Sequence, residues 1–208
     1  MMNKFVARDA EMTQLTHILL PTSIDRMRRK VFILHGLGDI GKTQLSVEFA
    51  RKYQENYSAI FWIDGSAKER VRRSIADLVS RLSQHQISEE SRSYSQKEST
   101  DVDQVVEDVL KWLSRPLNGQ WLLIFDNVDR EFSISSIDSE AFNMQAYFPM
   151  ADQGSILITS RLTSLRNLGD DMKLEPVNEL QGESILKNSA GRSVEGECNQ
   201  KHSYEGLI

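Results

Sequence analysis

Residues 36–43 read Gly36-Leu37-Gly38-Asp39-Ile40-Gly41-Lys42-Thr43, the spacing G-x-x-x-x-G-K-[ST]. That spacing suits the cradling of a polyphosphate. Glycines let the backbone turn tightly and bring successive N–H groups onto anionic oxygens. A helix beginning near Thr43 adds the positive end of its dipole. In this arrangement Lys42 reaches the β- and γ-phosphates and the Thr43 hydroxyl holds Mg²⁺. The apolar run before the loop and the helical period after it give the strand–loop–helix context that the motif requires.

A second chemical feature is the run Trp121-Leu122-Leu123-Ile124-Phe125-Asp126, an apolar strand ending in a carboxylate. On its own such a residue could equally cap a loop. Beside a phosphate loop, Asp126 is expected at the C-terminal edge of the sheet, where it can hold Mg²⁺ or a Mg²⁺-bound water. The next residue is Asn127, whose amide can orient a water but cannot accept its proton. Asp129 is the nearest alternative carboxylate, so slow hydrolysis is the expectation. A further run, Ser155-Ile156-Leu157-Ile158-Thr159, ends in Ser160-Arg161. A guanidinium there can touch a terminal phosphate and so report its presence or loss. The competing reading is a solvated surface arginine.

Four continuous apolar runs must position these groups: 31–34, 59–63, 121–125 and 156–158. They are rich in β-branched and aromatic residues, the pattern of strands buried on both faces of a parallel sheet. Met172 to Glu175 is a weaker fifth candidate, stopped by Pro176. Helical spacing links the runs. It appears at Met12, Leu15 and Leu19; at Leu45, Phe49 and Tyr53; at Val71, Ile75, Leu78 and Leu82; and at Val102, Val105, Val109 and Leu113. Alternating strands and helices imply βαβ units. The expected fold is α/β, a three-layer P-loop NTPase with a central, mainly five-stranded parallel sheet. The three tryptophans, Trp62, Trp112 and Trp121, read as core. His35, at a strand end beside the loop, reads as a satisfied structural histidine. Residues 87–100 are Ser-rich and charged, and read as an exposed loop. Residues 188–208 carry no period.

The 208 residues hold 25 Lys plus Arg and 30 Asp plus Glu, a formal net charge of −5. No basic surplus favours nucleic acid as a partner. The single cysteine, Cys198, has no intrachain partner, which fits a reducing, cytoplasmic setting. Residues 1–11 lack the apolar core of a signal peptide, and no apolar run approaches the ~18 residues of a membrane span. No membrane association is expected.

The ordered set of motifs resembles the NB-ARC class of STAND nucleotide-binding switches, and within it the fungal NLR-like proteins. The residues carrying the likeness are Phe5-Val6-Ala7-Arg8-Asp9, the stretch from Val31 through the phosphate loop to Gln44-Leu45, Phe61-Trp62-Ile63-Asp64, Leu122 to Asp129, and Gly154 to Arg161. It covers about residues 4–187. The resemblance implies that Val6 and Arg8 cradle the adenine side and that Gly36 to Gln44 surround the phosphates. Thr43 and Asp126 would complete a Mg²⁺ site, and Arg161 would meet the terminal phosphate. It implies ATP or ADP as cofactor and homo- or hetero-oligomers with other NB-ARC proteins. Its members are signalling switches, many of them in innate immunity. The implied organisation is an N-terminal arm and helix (1–22), an NB-ARC domain (23–187) and an irregular tail (188–208).

Ala7 and Asp39 stand where the family usually has Gly, and Asp39 adds a negative charge beside the phosphates. The Gly-Leu-Pro-Leu turn of the family's helical subdomain and the winged-helix part with its nucleotide-sensing histidine are not found in the 208 residues. Two rival functions stay open on sequence alone. One is a truncated, nucleotide-incompetent interaction fragment. The other is a small-molecule kinase or other phosphotransferase, which would want an arginine-bearing lid in place of the Ser-rich segment. A GTPase would need an Asn-Lys-x-Asp motif, and none occurs.

Overall fold

The four apolar runs form β1 (Lys30–His35), β2 (Ala59–Asp64), β3 (Trp121–Asp126) and β4 (Ser155–Ser160), and the fifth strand, β5 (Asp170–Lys173), begins two residues ahead of the expected Met172–Glu175. Every strand pair is parallel, and the sheet order is β2-β3-β4-β1-β5. The computed structural model describes residues 8–21, 28–83, 85–95, 101–133, 138–177 and 182–183. The chain divides into two units, Arg8–Pro176 and a second made of Met1–Ala7 with Val177–Ile208; the sheet belongs to the first. Val6 and the tail 188–208 lie outside the described residues.

Continuous hydrophobicity has a direct cause here, because both faces of the sheet are covered. One face carries Ile33, Phe61, Ile63, Leu123, Phe125, Ile156 and Ile158. They cluster with Val71 and Ile75 of α3 (Lys68–Ala76) and with Val105, Val109 and Leu113 of α5 (Val102–Leu113). The opposite face is served by α1 (Asp9–Leu19), which contacts β1 and β4, and by α2 (Lys42–Lys52), which contacts β4 and α1. These two helices bury Met12, Leu15, Leu19, Leu45 and Phe49. Each fully buried Leu, Ile or Phe contributes roughly 1.5–3 kcal/mol, so the inner strands set the stability of the scaffold.

Strand order matters for the chemistry. Strand β4 lies between β1 and β3, so Ile158 pairs with Ile33 on one side and Phe125 on the other. The C-terminal end of β4 therefore separates the loop after β1 from the carboxylate that ends β3. Gly154, at φ +82°, opens β4: a Cβ there would lie 2.4 Å from the Trp121 ring. Trp121 donates its indole N–H to the Leu113 carbonyl at 3.0 Å and is fully buried.

Three expectations need correction. Trp62 is exposed, unlike Trp112 and Trp121. It sits on the edge strand β2 and faces away from the α3–α5 layer that covers Phe61 and Ile63, while α1 and α2 lie over β1 and β4. The helix carrying Val71 and Ile75 ends at Ala76 and tightens into a 3₁₀ turn over Asp77–Arg81, which still buries Leu78. Within 87–100, the structure forms a short helix, α4 (Glu89–Arg92), capped by the Ser88 hydroxyl. Ser88 and Ser91 donate to the Asp108 carboxylate of α5 at 2.9 and 2.7 Å. Hydroxyl–carboxylate bonds to Asp108 dock this segment together with Ile87 and Tyr94, which pack against the core, and hydropathy does not reveal the polar part of that docking. No helix among the described residues is long and apolar enough to cross a membrane.

Candidate functional site

The phosphate-loop residues form a tight wrap between β1 and α2. Gly36 has φ +142°, and a Cβ there would stand 2.7 Å from both the Ile40 side chain and the Leu174 carbonyl. Gly41, at φ +94°, precedes the first residue of α2 and accepts the Leu45 N–H at 2.9 Å. Asp39 occupies the left-handed region at φ +58°, a conformation open to Asp and Asn at moderate cost and to Gly at none. Lys42 folds over the loop and donates to the Gly36 and Leu37 carbonyls at 2.9 and 2.6 Å. Partial burial pushes its ammonium below the ordinary lysine value. The Asp129 carboxylate opposes the push, the Arg161 guanidinium adds to it, and Asp126 and Asp39 oppose it further.

Across the gap, Asp126 Oδ1 accepts from the Thr43 hydroxyl at 2.9 Å and from the Thr159 hydroxyl. Thr159 is the link that the strand order creates. Its hydroxyl oxygen also accepts the Asn127 N–H at 2.9 Å, and its carbonyl accepts the Val128 N–H at 2.9 Å. The Ser160 hydroxyl donates to the Val128 carbonyl and accepts the Leu162 N–H. Sequence reasoning assigned no role to Thr159 or Ser160. The available signal was two hydroxyls closing an apolar run that is otherwise wholly buried. Asn127 sits in the left-handed region at φ +66° and holds its place by its main chain.

Asp129, the nearest alternative carboxylate, is held by Arg161. Its Oδ1 accepts the Arg161 main-chain N–H at 2.6 Å and its Oδ2 pairs with Arg161 Nε at 2.7 Å. The Arg161 guanidinium lies beside the loop, 3.9 Å from where a Gly38 Cβ would be. A cavity of about 340 Å³ separates the two halves of the site. Asp39, Lys42, Thr43 and Gln44 line it from the loop, and Asn127, Asp129, Thr159 and Arg161 from the strand ends.

Arg8 stands elsewhere than in that cavity. Its side chain is almost fully buried and donates to the Ile40 carbonyl at 2.9 Å, the Glu175 carbonyl at 3.1 Å and the Glu11 carboxylate at 3.2 Å. It braces the loop from behind. His35 is buried one residue before the loop, with Nε2 2.9 Å from Asp171 Oδ2. Asp171 also accepts from Arg166 Nε at 2.8 Å. The buried Nδ1 of His35 has no hydrogen-bond partner, so the histidine expected to be satisfied is satisfied at Nε2 alone. A second hollow, of about 480 Å³, lies beside β2 and α3 among Asp64, Arg70 and Asp77 and holds none of the nominated residues.

The donor set fits a hard divalent cation. Thr43 and Asp126 place two oxygens within 2.9 Å of each other at the mouth of the loop. Among the described residues, no group of three or more His, Cys, Asp or Glu could cage a metal ion. Mg²⁺ characteristically takes one or two protein oxygens and fills its shell with water and phosphate oxygens.

The NB-ARC domain family matches residues 8–191. No curated protein matches the chain. Among solved structures, Cdc6p from Pyrobaculum aerophilum is similar at a TM-score of 0.57 and 13% identity, covering 90% of this chain and 52% of that one. The ORC2 protein of Aeropyrum pernix, solved as ADPNP–ADP complexes, gives a TM-score of 0.56 at 15% identity, with coverage of 90% and 52%. A STAND protein with a tetratricopeptide repeat sensor from Pyrococcus horikoshii gives 0.48 at 18%, with coverage of 91% and 26%. The chain thus spans about half the length, or less, of these three structures. At such identities the likeness speaks to the fold, which is the three-layer α/β fold of P-loop NTPases. Matched over most of its length, the chain belongs to the NB-ARC domain family.

Proposed function

We propose that this domain binds ATP and ADP with Mg²⁺ as a signal-transduction switch and hydrolyses ATP slowly. The observation that carries the reading is that Lys42, Thr43 and Arg161 line one cavity at the C-terminal edge of the sheet, with Asp126 bonded to the Thr43 hydroxyl at 2.9 Å. In this reading the loop N–H groups and Lys42 hold the β-phosphate, Thr43 and Asp126 hold the metal, and Arg161 meets the terminal phosphate. Mg²⁺ bound there would neutralise phosphate charge and fix the orientation of the nucleotide. Slow turnover follows from two features. Asn127 offers no proton acceptor, and both oxygens of Asp129 are engaged by Arg161. A nucleotide that is kept rather than consumed suits a state marker. By family resemblance, the setting is cytoplasmic signalling of the NLR-like, innate-immunity kind, with assembly among NB-ARC chains as the output.

The test is calorimetric titration of the chain with ATP and ADP in Mg²⁺, beside Lys42→Ala, with phosphate release followed in parallel. Binding of both nucleotides, lost in Lys42→Ala, with little release is the expected result. Many turnovers per second would overturn the switch reading. A folded protein that binds neither nucleotide would favour an interaction fragment instead.

A further inference from the structure

Arg161 is a long, well-exposed side chain, with 62% of it accessible, at the end of a fully buried strand. Left alone, it would spread over many rotamers, an entropic cost to any ligand that had to collect it. Asp129 removes that freedom in two places. Its Oδ1 takes the Arg161 main-chain N–H and fixes the point where the chain leaves β4. Its Oδ2 takes Nε and fixes the direction of the guanidinium. With Nε engaged, the guanidinium lies beside the loop: Cζ and Nη1 are 3.9 Å and Nε 4.0 Å from the Gly38 Cβ position. The carboxylate that does this is itself only 19% accessible. It is carried by the segment that Thr159 and Ser160 tie to β4, through the Val128 N–H and carbonyl. The holder is thus rigid where the held group is long and exposed.

We infer that Asp129 is the positioning residue that aims Arg161 at the terminal phosphate, and that it thereby sets the preference for ATP over ADP. This rests on the proposed nucleotide reading and assigns Asp129 a role other than proton acceptor. A charged hydrogen bond of this kind is worth enough to shift an affinity roughly tenfold. The shift falls on ATP alone, because ADP lacks the group that Arg161 would meet.

The experiment titrates the full chain with ADP and with a non-hydrolysable ATP analogue in Mg²⁺. It compares wild type, Arg161→Ala, Asp129→Ala, Asp129→Asn and the double variant Asp129→Ala/Arg161→Ala. Asp129→Ala is expected to lower the ratio of ATP-analogue to ADP affinity about as far as Arg161→Ala does, with no further fall in the double variant. Asp129→Asn, which keeps an acceptor for the main-chain N–H but loses the charge, is expected to fall between. It carries the test if the alanine variant melts early. A structural role alone would lower both affinities alike and leave their ratio unchanged, which would overturn the inference. An unchanged ratio in the Asp129 variants with ATP turnover abolished would overturn it in favour of a base. If Arg161→Ala itself leaves the ratio unchanged, the terminal-phosphate reading of Arg161 fails and the inference falls with it, whereas nucleotide binding by the wild type is scored separately.

Discussion

The buried Arg8 guanidinium, one residue before α1, donates into the phosphate loop, to the Ile40 carbonyl at 2.9 Å. The same side chain holds the Glu175 carbonyl just beyond β5, so one residue pins the N-terminal helix, the loop and the last strand together. A planar guanidinium can serve three acceptors at once, and an ammonium cannot match that fork. Arg8→Lys should therefore lose about 2 kcal/mol of stability, read from urea unfolding. It should also weaken ATP and ADP binding while leaving binding of adenosine, which has no phosphate for the loop to hold, unchanged. Equal losses for all three ligands would instead place Arg8 on the adenine side.

Asp39 allows charge and conformation to be separated. It is exposed, adopts φ +58° and lies close enough to Lys42 to act on its ammonium. Asn tolerates the left-handed region as well as Asp does, so Asp39→Asn removes only the charge. Exposed charges are screened, so the gain should be modest: ATP binding about two- to threefold tighter at low salt, shrinking as salt rises. Asp39→Gly should match it and add a small gain from relieved backbone strain. Calorimetry at two ionic strengths reads both, and no change in affinity in either variant would refute the charge effect.

Much of this architecture could be read from the residues. Strands β1 to β4 appear in the sequence as the only long β-branched and aromatic runs, because a sheet covered on both faces admits no polar alternation. The phosphate loop is legible because its glycines answer a backbone demand, and Gly36 and Gly41 do carry positive φ. What escaped the sequence was set by tertiary partners. The exposure of Trp62 depends on which strand ends the sheet. The docking of α4 depends on an aspartate 17 residues beyond Ser91. The bracing role of Arg8 depends on carbonyls 32 and 167 residues away. Thr159 joins the site because β4 is inserted between β1 and β3, an order that no local pattern encodes.

Asp126 should show two separable roles. Its Oδ1 accepts from Thr43 and Thr159, and Thr159 is buried. Asp126→Asn retains an oxygen acceptor, so its melting temperature should stay close to wild type, whereas Asp126→Ala leaves the Thr159 hydroxyl unsatisfied and should lose about 1–3 kcal/mol. Both variants should abolish the difference between ATP affinity measured in Mg²⁺ and in a chelator. If that difference survives in Asp126→Asn, the metal is held by other groups. Thr43→Ser, which keeps the hydroxyl, should preserve it.

The docking of α4 on α5 should depend on pH. Burial alone would raise the Asp108 carboxyl, but the hydroxyls of Ser91 and Ser88, the Gln104 amide and the Lys111 ammonium outweigh it and hold the group below the usual aspartate value. A carboxyl lowered on folding binds fewer protons in the native state than in the unfolded chain, so its stabilising effect is complete above the unfolded value of about 3.9. That effect is lost as pH falls through the lowered native value. Protonation makes one oxygen a donor and removes an acceptor from a carboxylate that serves three donors. Ser91, buried at the contact, is then left without a full partner. Hydrogen exchange of the Arg92 N–H, which bonds the Ser88 carbonyl at 3.0 Å, reports the state of this helix. Once corrected for the intrinsic exchange rate, its protection should fade below about pH 3.9, before the sheet amides lose theirs. Asp108→Asn should show the lower protection already at neutral pH and should flatten its pH dependence. Protection that stays level in the wild type down to global acid unfolding would mean that α4 is held by packing alone.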